Sequence, residues 1–99
     1  MSSQFLSCPE NLLQALPTLL LDQQIRVEPV ADAKANPQVV RYVALRDTSR
    51  VGIEGMRDKD GPFLVWLSTS WNPFKRSKNE ALLRVIVEAM LKAGAQKDK

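Results

Sequence analysis

The chain has 99 residues, 14 of them Lys or Arg and 11 Asp or Glu, which gives a formal net charge of +3. This length fits one domain, and 44% hydrophobic residues is enough for one compact core. With no His and a single Cys, the sequence excludes Ser–His and Cys–His catalytic pairs, His-ligated zinc and an internal disulfide. No apolar run reaches the roughly 20 residues of a membrane-spanning helix.

Positive charge is concentrated in the second half of the chain. Residues 1–49 hold four basic and five acidic side chains (4 − 5 = −1), and residues 50–99 hold ten and six (10 − 6 = +4). This imbalance attracts phosphate or an acidic protein, although a nucleic-acid binder usually carries a denser basic stripe. A solubilising surface is the alternative. One Cys and no recognisable export signal predict a cytoplasmic protein.

The first predicted element is a short helix. Ser7 and Glu10 have the spacing of a capping box, and Pro9 suits a first helical turn. Leucines at helical spacing follow, and Pro17 predicts an end or a kink near Leu16, with a further turn beyond it. We expect a single domain over 1–99, with residues 1–6 and 95–99 flexible.

Four strands are predicted next, from alternating or continuous apolar patterns, at 24–30, 39–46, 50–56 and 63–69. Pro29 favours an edge position for the first, and the short connections favour sequential order. The last strand is apolar on both faces, since Leu64 and Trp66 alternate with Phe63, Val65 and Leu67. A strand of this kind predicts a sheet covered on both sides.

The hairpin loop at 57–61 ends in Gly61, which suits a positive φ. Its Asp58 and Asp60 resemble the start of a calcium loop, but the twelfth position is Thr69 rather than Glu. We therefore predict a plain turn and no metal site.

A second helix is predicted near the end of the chain, with Ser77 and Glu80 as its capping box and Gly94 as its C-cap. Its polar side chains from 81 to 93 form one narrow stripe: Arg84, Glu88 and Lys92. The remaining apolar side chains exceed what one core-facing side needs, notably Val85, Val87, Ala89 and Leu91. They predict either an interface with another chain or cover by the first helix or a loop.

The segment before this helix combines aromatic and basic side chains: Trp71, Phe74, Lys75, Arg76 and Lys78. Aromatic rings stack on bases and cations meet phosphates, so this segment could contact nucleic acid. An acidic protein surface is another ligand, and a structural plug at the end of the core is the third interpretation.

No set of catalytic residues is found. Cys8 lies at a predicted helix start, where the macrodipole favours a thiolate, but no basic neighbour in sequence activates it. The glycines do not cluster into a phosphate loop, and the strand carboxylates Glu28 and Glu54 are isolated. We expect no enzyme activity and no cofactor.

Two segments carry a family resemblance. Residues 16–25 (LPTLLLDQQI) resemble the helix that runs through a Pro into a first strand in small tailed-phage proteins of the phage ABA sandwich kind, and residues 79–90 (NEALLRVIVEAM) are similar to their closing helix. Trp66 and Trp71 are similar to an aromatic of the preceding strand. The resemblance implies a three-layer α/β/α sandwich and a phage or prophage origin, and it transfers no catalytic residues.

The sequence thus predicts an α+β fold with a four-stranded, mainly antiparallel sheet and one helix at each end, with α/β/α layering as the further option. The leading hypothesis for function is a non-enzymatic protein that binds and modulates a host or partner protein. The alternatives are a homodimer interface and nucleic-acid binding through 71–78 and the sheet. The expected contact residues are Trp71, Phe74, Lys75, Arg76, Lys78, Val87 and Leu91.

Overall fold

A computed structural model describes residues 3–30, 38–57, 61–69 and 76–97. In chain order these form β1 (Ser3–Cys8), α1 (Glu10–Gln14), α2 (Leu16–Leu21), β2 (Arg26–Pro29), β3 (Val39–Arg46), β4 (Ser49–Met56), β5 (Phe63–Ser68), α3 (Arg76–Ala93) and β6 (Gln96–Lys97). The class is α+β, as predicted, but the sheet has six strands rather than four.

The strand order is β2-β3-β4-β5-β1-β6, and every described pair is antiparallel. The four predicted strands are present in sequential order, and β2, which contains Pro29, lies at an edge as expected. Two strands, β1 and β6, were not predicted. β1 runs through Ser3–Cys8 and pairs with β5 along its whole length, and the short β6 pairs with β1 on the other side. Residues expected at flexible termini therefore contribute two neighbouring strands.

Both predicted capping boxes are wrong. Ser7 lies in β1, and α1 begins after Pro9 with no side-chain hydrogen bond at its cap. Ser77 lies inside α3, which begins at Arg76. The helix break predicted near Leu16 is present, because α1 ends at Gln14 and Pro17 lies in the first turn of α2, and Gly94, with φ +123°, ends α3 as predicted. Gly61 likewise has a positive φ of 146°. Pro9, predicted in a first helical turn, is instead the N-cap of α1.

The core lies between one face of the sheet and the three helices. Most strand residues that point to this face are buried, as are most leucines of α1 and α2 and the inner side of α3, and they form one cluster. The sheet packs closely against α1, because a Cβ at Gly55 would lie 3.1 Å from a methyl carbon of Leu13. The Asn79 side chain of α3 accepts a 3.0 Å hydrogen bond from the backbone N–H of Arg50 and ties this helix to β4.

The expectation of a sheet covered on both faces is not met by the described residues. The core-facing side chains of β5 are at most 2% exposed, whereas Leu64 and Trp66 on the opposite side are 45% and 42% exposed. The buried residues of all three helices belong to the one core cluster, so the helices pack on a single side of the sheet. The described part of the chain therefore forms two layers, and the alternating apolar residues of β5 leave large side chains in contact with solvent.

Candidate protein-interaction surface

The basic-aromatic segment is only partly described. Trp71, Phe74 and Lys75 lie outside the described residues, as do Asp58 and Asp60 of the hairpin loop. Arg76 is the first residue of α3, and its side chain is likewise outside the description. Lys78 is exposed in the first turn of α3. The grouping expected for these residues stays a prediction.

The apolar residues predicted as contacts on α3 pack mainly against their own chain. Val87 is only 7% exposed and belongs to the core cluster. Val85, Ala89 and Leu91 are partly buried against the same cluster. A groove of about 360 Å³ runs along this helix, lined among others by Gln4, Leu83, Val87 and Leu91. The polar stripe of α3 faces solvent as predicted, since its three members are exposed.

A larger apolar surface lies on the side of the sheet away from the helices. We call it the outer face and define it by Phe5, Arg41, Glu54, Met56, Leu64 and Trp66. Its four apolar side chains are between 42% and 54% exposed, and they come from the adjacent strands β4, β5 and β1. Strand register places them side by side, because Trp66 pairs with Phe5 and Leu64 pairs with Met56. The result is one contiguous patch.

Two pairs give the outer face its geometry. The rings of Phe5 and Trp66 stack with centroids 6.1 Å apart and an angle of 5° between their planes. On the other flank of Trp66, Glu54 Oε2 lies 3.5 Å from Arg41 Nε. Arg41, Glu54, Trp66 and Phe5 therefore form one row across four strands, with an ion pair at one end and an aromatic stack at the other. A shallow depression of about 490 Å³ follows the apolar part of this face.

Arg57 follows Met56 at the end of β4, and its side chain contacts the helix side of the sheet. The Arg57 guanidinium lies 4.7 Å from the ring centroid of Phe63 and 3.1 Å from Glu10 Oε2, and its Nε donates a 2.9 Å hydrogen bond to Gln38 Oε1. These contacts join α1, β5 and the chain ahead of β3. The Arg57 side chain is 14% exposed, so its charge is engaged within the fold rather than offered to a ligand.

Cys8 is buried at the end of β1 and donates a weak hydrogen bond to the Pro9 carbonyl, with 3.5 Å between sulfur and oxygen. Burial raises the pKa of the Cys8 thiol from 9.0 to about 11 because a thiolate is poorly solvated there. A neutral thiol at physiological pH is a poor nucleophile. Cys8 is the last residue of β1 and lies two residues before α1 begins.

We predict a loss of stability at alkaline pH through Cys8. The folded thiol binds its proton more tightly than the unfolded one, so this stabilisation is complete below pH 9 and is lost as the pH rises from 9 to 11. The free energy of unfolding, measured with urea from pH 8 to 11, should fall more steeply for the native chain than for Cys8→Ala. Equal slopes would contradict the prediction.

The described residues contain no group of three or more side chains suited to hold a metal ion. None of the described helices is long and apolar enough to cross a membrane. No known protein family, curated protein or solved structure matches the chain.

Sequence reasoning found only part of the outer face. It identified the second apolar side of β5, Leu64 and Trp66, but expected that side to be covered. It missed Phe5 because residues 1–6 were assigned to a flexible terminus. The sequence signal there was weak, because Phe5 and Leu6 are adjacent apolar residues without a polar residue between them, and the apparent capping box at Ser7 pointed to a helix instead.

Proposed function

We propose that this chain is a non-enzymatic interaction protein that binds and modulates a host or partner protein, and that the outer face is its principal contact surface. The observation that supports this most directly is the patch of large, exposed apolar side chains that lie next to one another: Phe5, Trp66, Leu64 and Met56. Large contiguous apolar patches are uncommon on the surface of soluble proteins, and where they occur they mark interaction sites.

The composition of the outer face suits a protein partner. Aromatic residues, Met and Arg are enriched at protein interfaces, and this face combines Phe5, Trp66, Met56 and Arg41. An aromatic anchor gains most where surrounding contacts exclude water from it. Trp66 has that position, because it lies between neighbours on both adjacent strands.

The contact residues expected from the sequence form a second region of the proposal. Lys75, Arg76 and Lys78 would supply a cationic rim for an acidic partner, with Trp71 and Phe74 as anchors beside them. On α3, Leu91 supplies partly exposed apolar surface, whereas Val87 is buried and supplies little. We therefore place the main contact on the outer face rather than on α3.

Nucleic-acid binding is the second candidate, since exposed aromatic rings on a sheet can stack on bases. The Phe5–Trp66 stack favours it. Two ion pairs on this side of the sheet argue against it, because Arg41 pairs with Glu54 and, on β2, Arg26 pairs with Glu28 at 2.9 Å, so a polyanion would meet carboxylates there. A cytoplasmic location and a phage or prophage origin remain part of the proposal and rest on the sequence alone.

Site-specific photo-cross-linking in cells tests this function. We expect a photoreactive amino acid at position 64, on the outer face, to form protein adducts. The same amino acid at position 14, an exposed site on α1, is the matched control and should form few. Adducts at position 14 but not at position 64 would contradict the proposal, as would cross-links to nucleic acid alone.

A further inference from the structure

We propose that Met56 is an oxidation site: a peroxide converts its thioether to the sulfoxide in the folded chain, and this change weakens the binding of a protein partner to the outer face. The effect on binding rests on the proposed function, whereas the oxidation itself does not. The two supports are the accessibility of this sulfur compared with the other sulfur atoms of the described chain, and the apolar surroundings of the side chain.

The first support is accessibility. Within the described residues, sulfur is carried by Cys8, Met56 and Met90. Met56 is 54% exposed, whereas Cys8 and Met90 are each 0% exposed. Burial also raises the pKa of the Cys8 thiol to about 11, and a thiol that stays neutral is a poor nucleophile towards peroxide. Of these three sulfur atoms, a peroxide in solution therefore reaches that of Met56 first.

The reaction transfers one oxygen atom from hydrogen peroxide to the sulfur. A lone pair of Met56 Sδ attacks one peroxide oxygen, so an S–O bond forms as the O–O bond breaks. The proton of the transferred oxygen moves to the oxygen that leaves, which departs as water. The sulfur is oxidised by two electrons and the peroxide is reduced by two. The product is methionine sulfoxide, which cellular sulfoxide reductases can convert back to methionine.

The second support is the position of Met56 within the outer face. Strand register sets it opposite Leu64 on one side and Val39 on the other, and it lines the same depression as Phe5 and Trp66. A partner that covers this depression buries the Met56 side chain among apolar groups. The sulfoxide oxygen is a hydrogen-bond acceptor, and burying it without a donor is unfavourable. Oxidation therefore opposes the covered state.

Oxidation is not expected to disturb the fold. In the free chain the sulfoxide oxygen lies in water, because Met56 is more than half exposed. The melting temperature of the oxidised chain should therefore stay within about 4 °C of the native value, as for other changes at an exposed position. A loss of binding without a loss of stability distinguishes this role of Met56 from general oxidative damage.

Peptide mass mapping after treatment with dilute hydrogen peroxide identifies the site. We expect the peptide that contains Met56 to gain one oxygen at least about tenfold faster than the peptide that contains Met90. In concentrated urea the two peptides should react at similar rates, because unfolding exposes both. Similar rates in the folded chain would overturn the inference.

Photo-cross-linking in cells measures the effect on binding, with the photoreactive amino acid at position 64. Brief peroxide treatment before illumination should lower the yield of protein adducts by about tenfold, which corresponds to about 1.4 kcal/mol. The same comparison with Met56→Leu should show no response to peroxide, whatever its yield before treatment. Met90→Leu is the matched control, because it removes the buried methionine and should respond as the native chain does.

The outcomes separate the two proposals. Adducts that persist after mass mapping has shown Met56 to be oxidised overturn the inference and leave the proposed function standing. Adducts that peroxide removes from Met56→Leu as well also overturn it, because the response then lies outside Met56. A chain that forms no protein adducts at position 64 before treatment contradicts the proposed function, and the inference fails with it.

Discussion

Replacing Val87 with glutamate is expected to lower the free energy of unfolding by about 3 kcal/mol or more. Val87 is 7% exposed and packs in the core cluster. The substitution loses the burial of a valine, about 1.5–3 kcal/mol, and places a carboxylate where water is largely excluded. Urea denaturation followed by circular dichroism measures the change.

The matched control is Ala81→Glu, which introduces the same charge at an exposed position of the same helix. Its free energy of unfolding should stay within about 0.5 kcal/mol of the native value. If Val87→Glu unfolds at the same urea concentration as this control, α3 does not pack on the sheet as described. Because Val87 is part of the core, a glutamate at position 87 would disturb folding as well as any interface. A substitution at exposed position 66 is therefore the better test of partner binding.

Replacing Phe63 with alanine is expected to destabilise the protein by about 3–5 kcal/mol. Phe63 is 2% exposed, and the missing side chain of Gly55 lets its strand approach the ring, since a Cβ there would lie 3.4 Å from it. The ring also supports the Arg57 guanidinium 4.7 Å above it. Its removal leaves a cavity and loosens that arginine's contacts with Glu10 and Gln38.

Thermal unfolding, measured on dilute protein, checks this prediction. Leu21→Ala serves as the control because Leu21 is 66% exposed and leaves no cavity. We expect the melting temperature of Phe63→Ala to fall by well over 10 °C, since about 1 kcal/mol corresponds to roughly 4–8 °C in a domain of this size. Similar melting temperatures for the two variants would contradict the packing described for β5.

The parts of the fold that local chemistry determines could be predicted from the sequence. β3 was predicted with both ends correct, because its apolar run stops at the turn that contains Asp47. Pro29 identified an edge strand, since a proline cannot donate a ladder hydrogen bond. Gly94 identified the end of α3, because glycine adopts a positive φ without strain.

The parts of the fold that depend on pairing between strands far apart in the sequence could not be predicted. β6 has two residues and exists because β1 lies beside it, and no local pattern indicates so short a strand. The serine at position 7 met the rule for a helix cap, but pairing with Leu64 holds it in a strand. The exposure of the outer face was not predicted for the same reason, because the side on which the helices pack depends on the whole sheet and not on the composition of β5.

The position of β1 has a consequence for how the chain reaches its structure. Strands β2 to β5 follow one another as a meander and can pair as they emerge, since each joins its neighbour in sequence. β1 can pair only after β5 and β6 are present, because Ser3 pairs with Ser68 and Leu6 pairs with Lys97. Closing such long loops makes folding slower than in a sheet of hairpins alone. The beginning of the chain is therefore among the last parts to find its place, after nearly all of the rest has been synthesised.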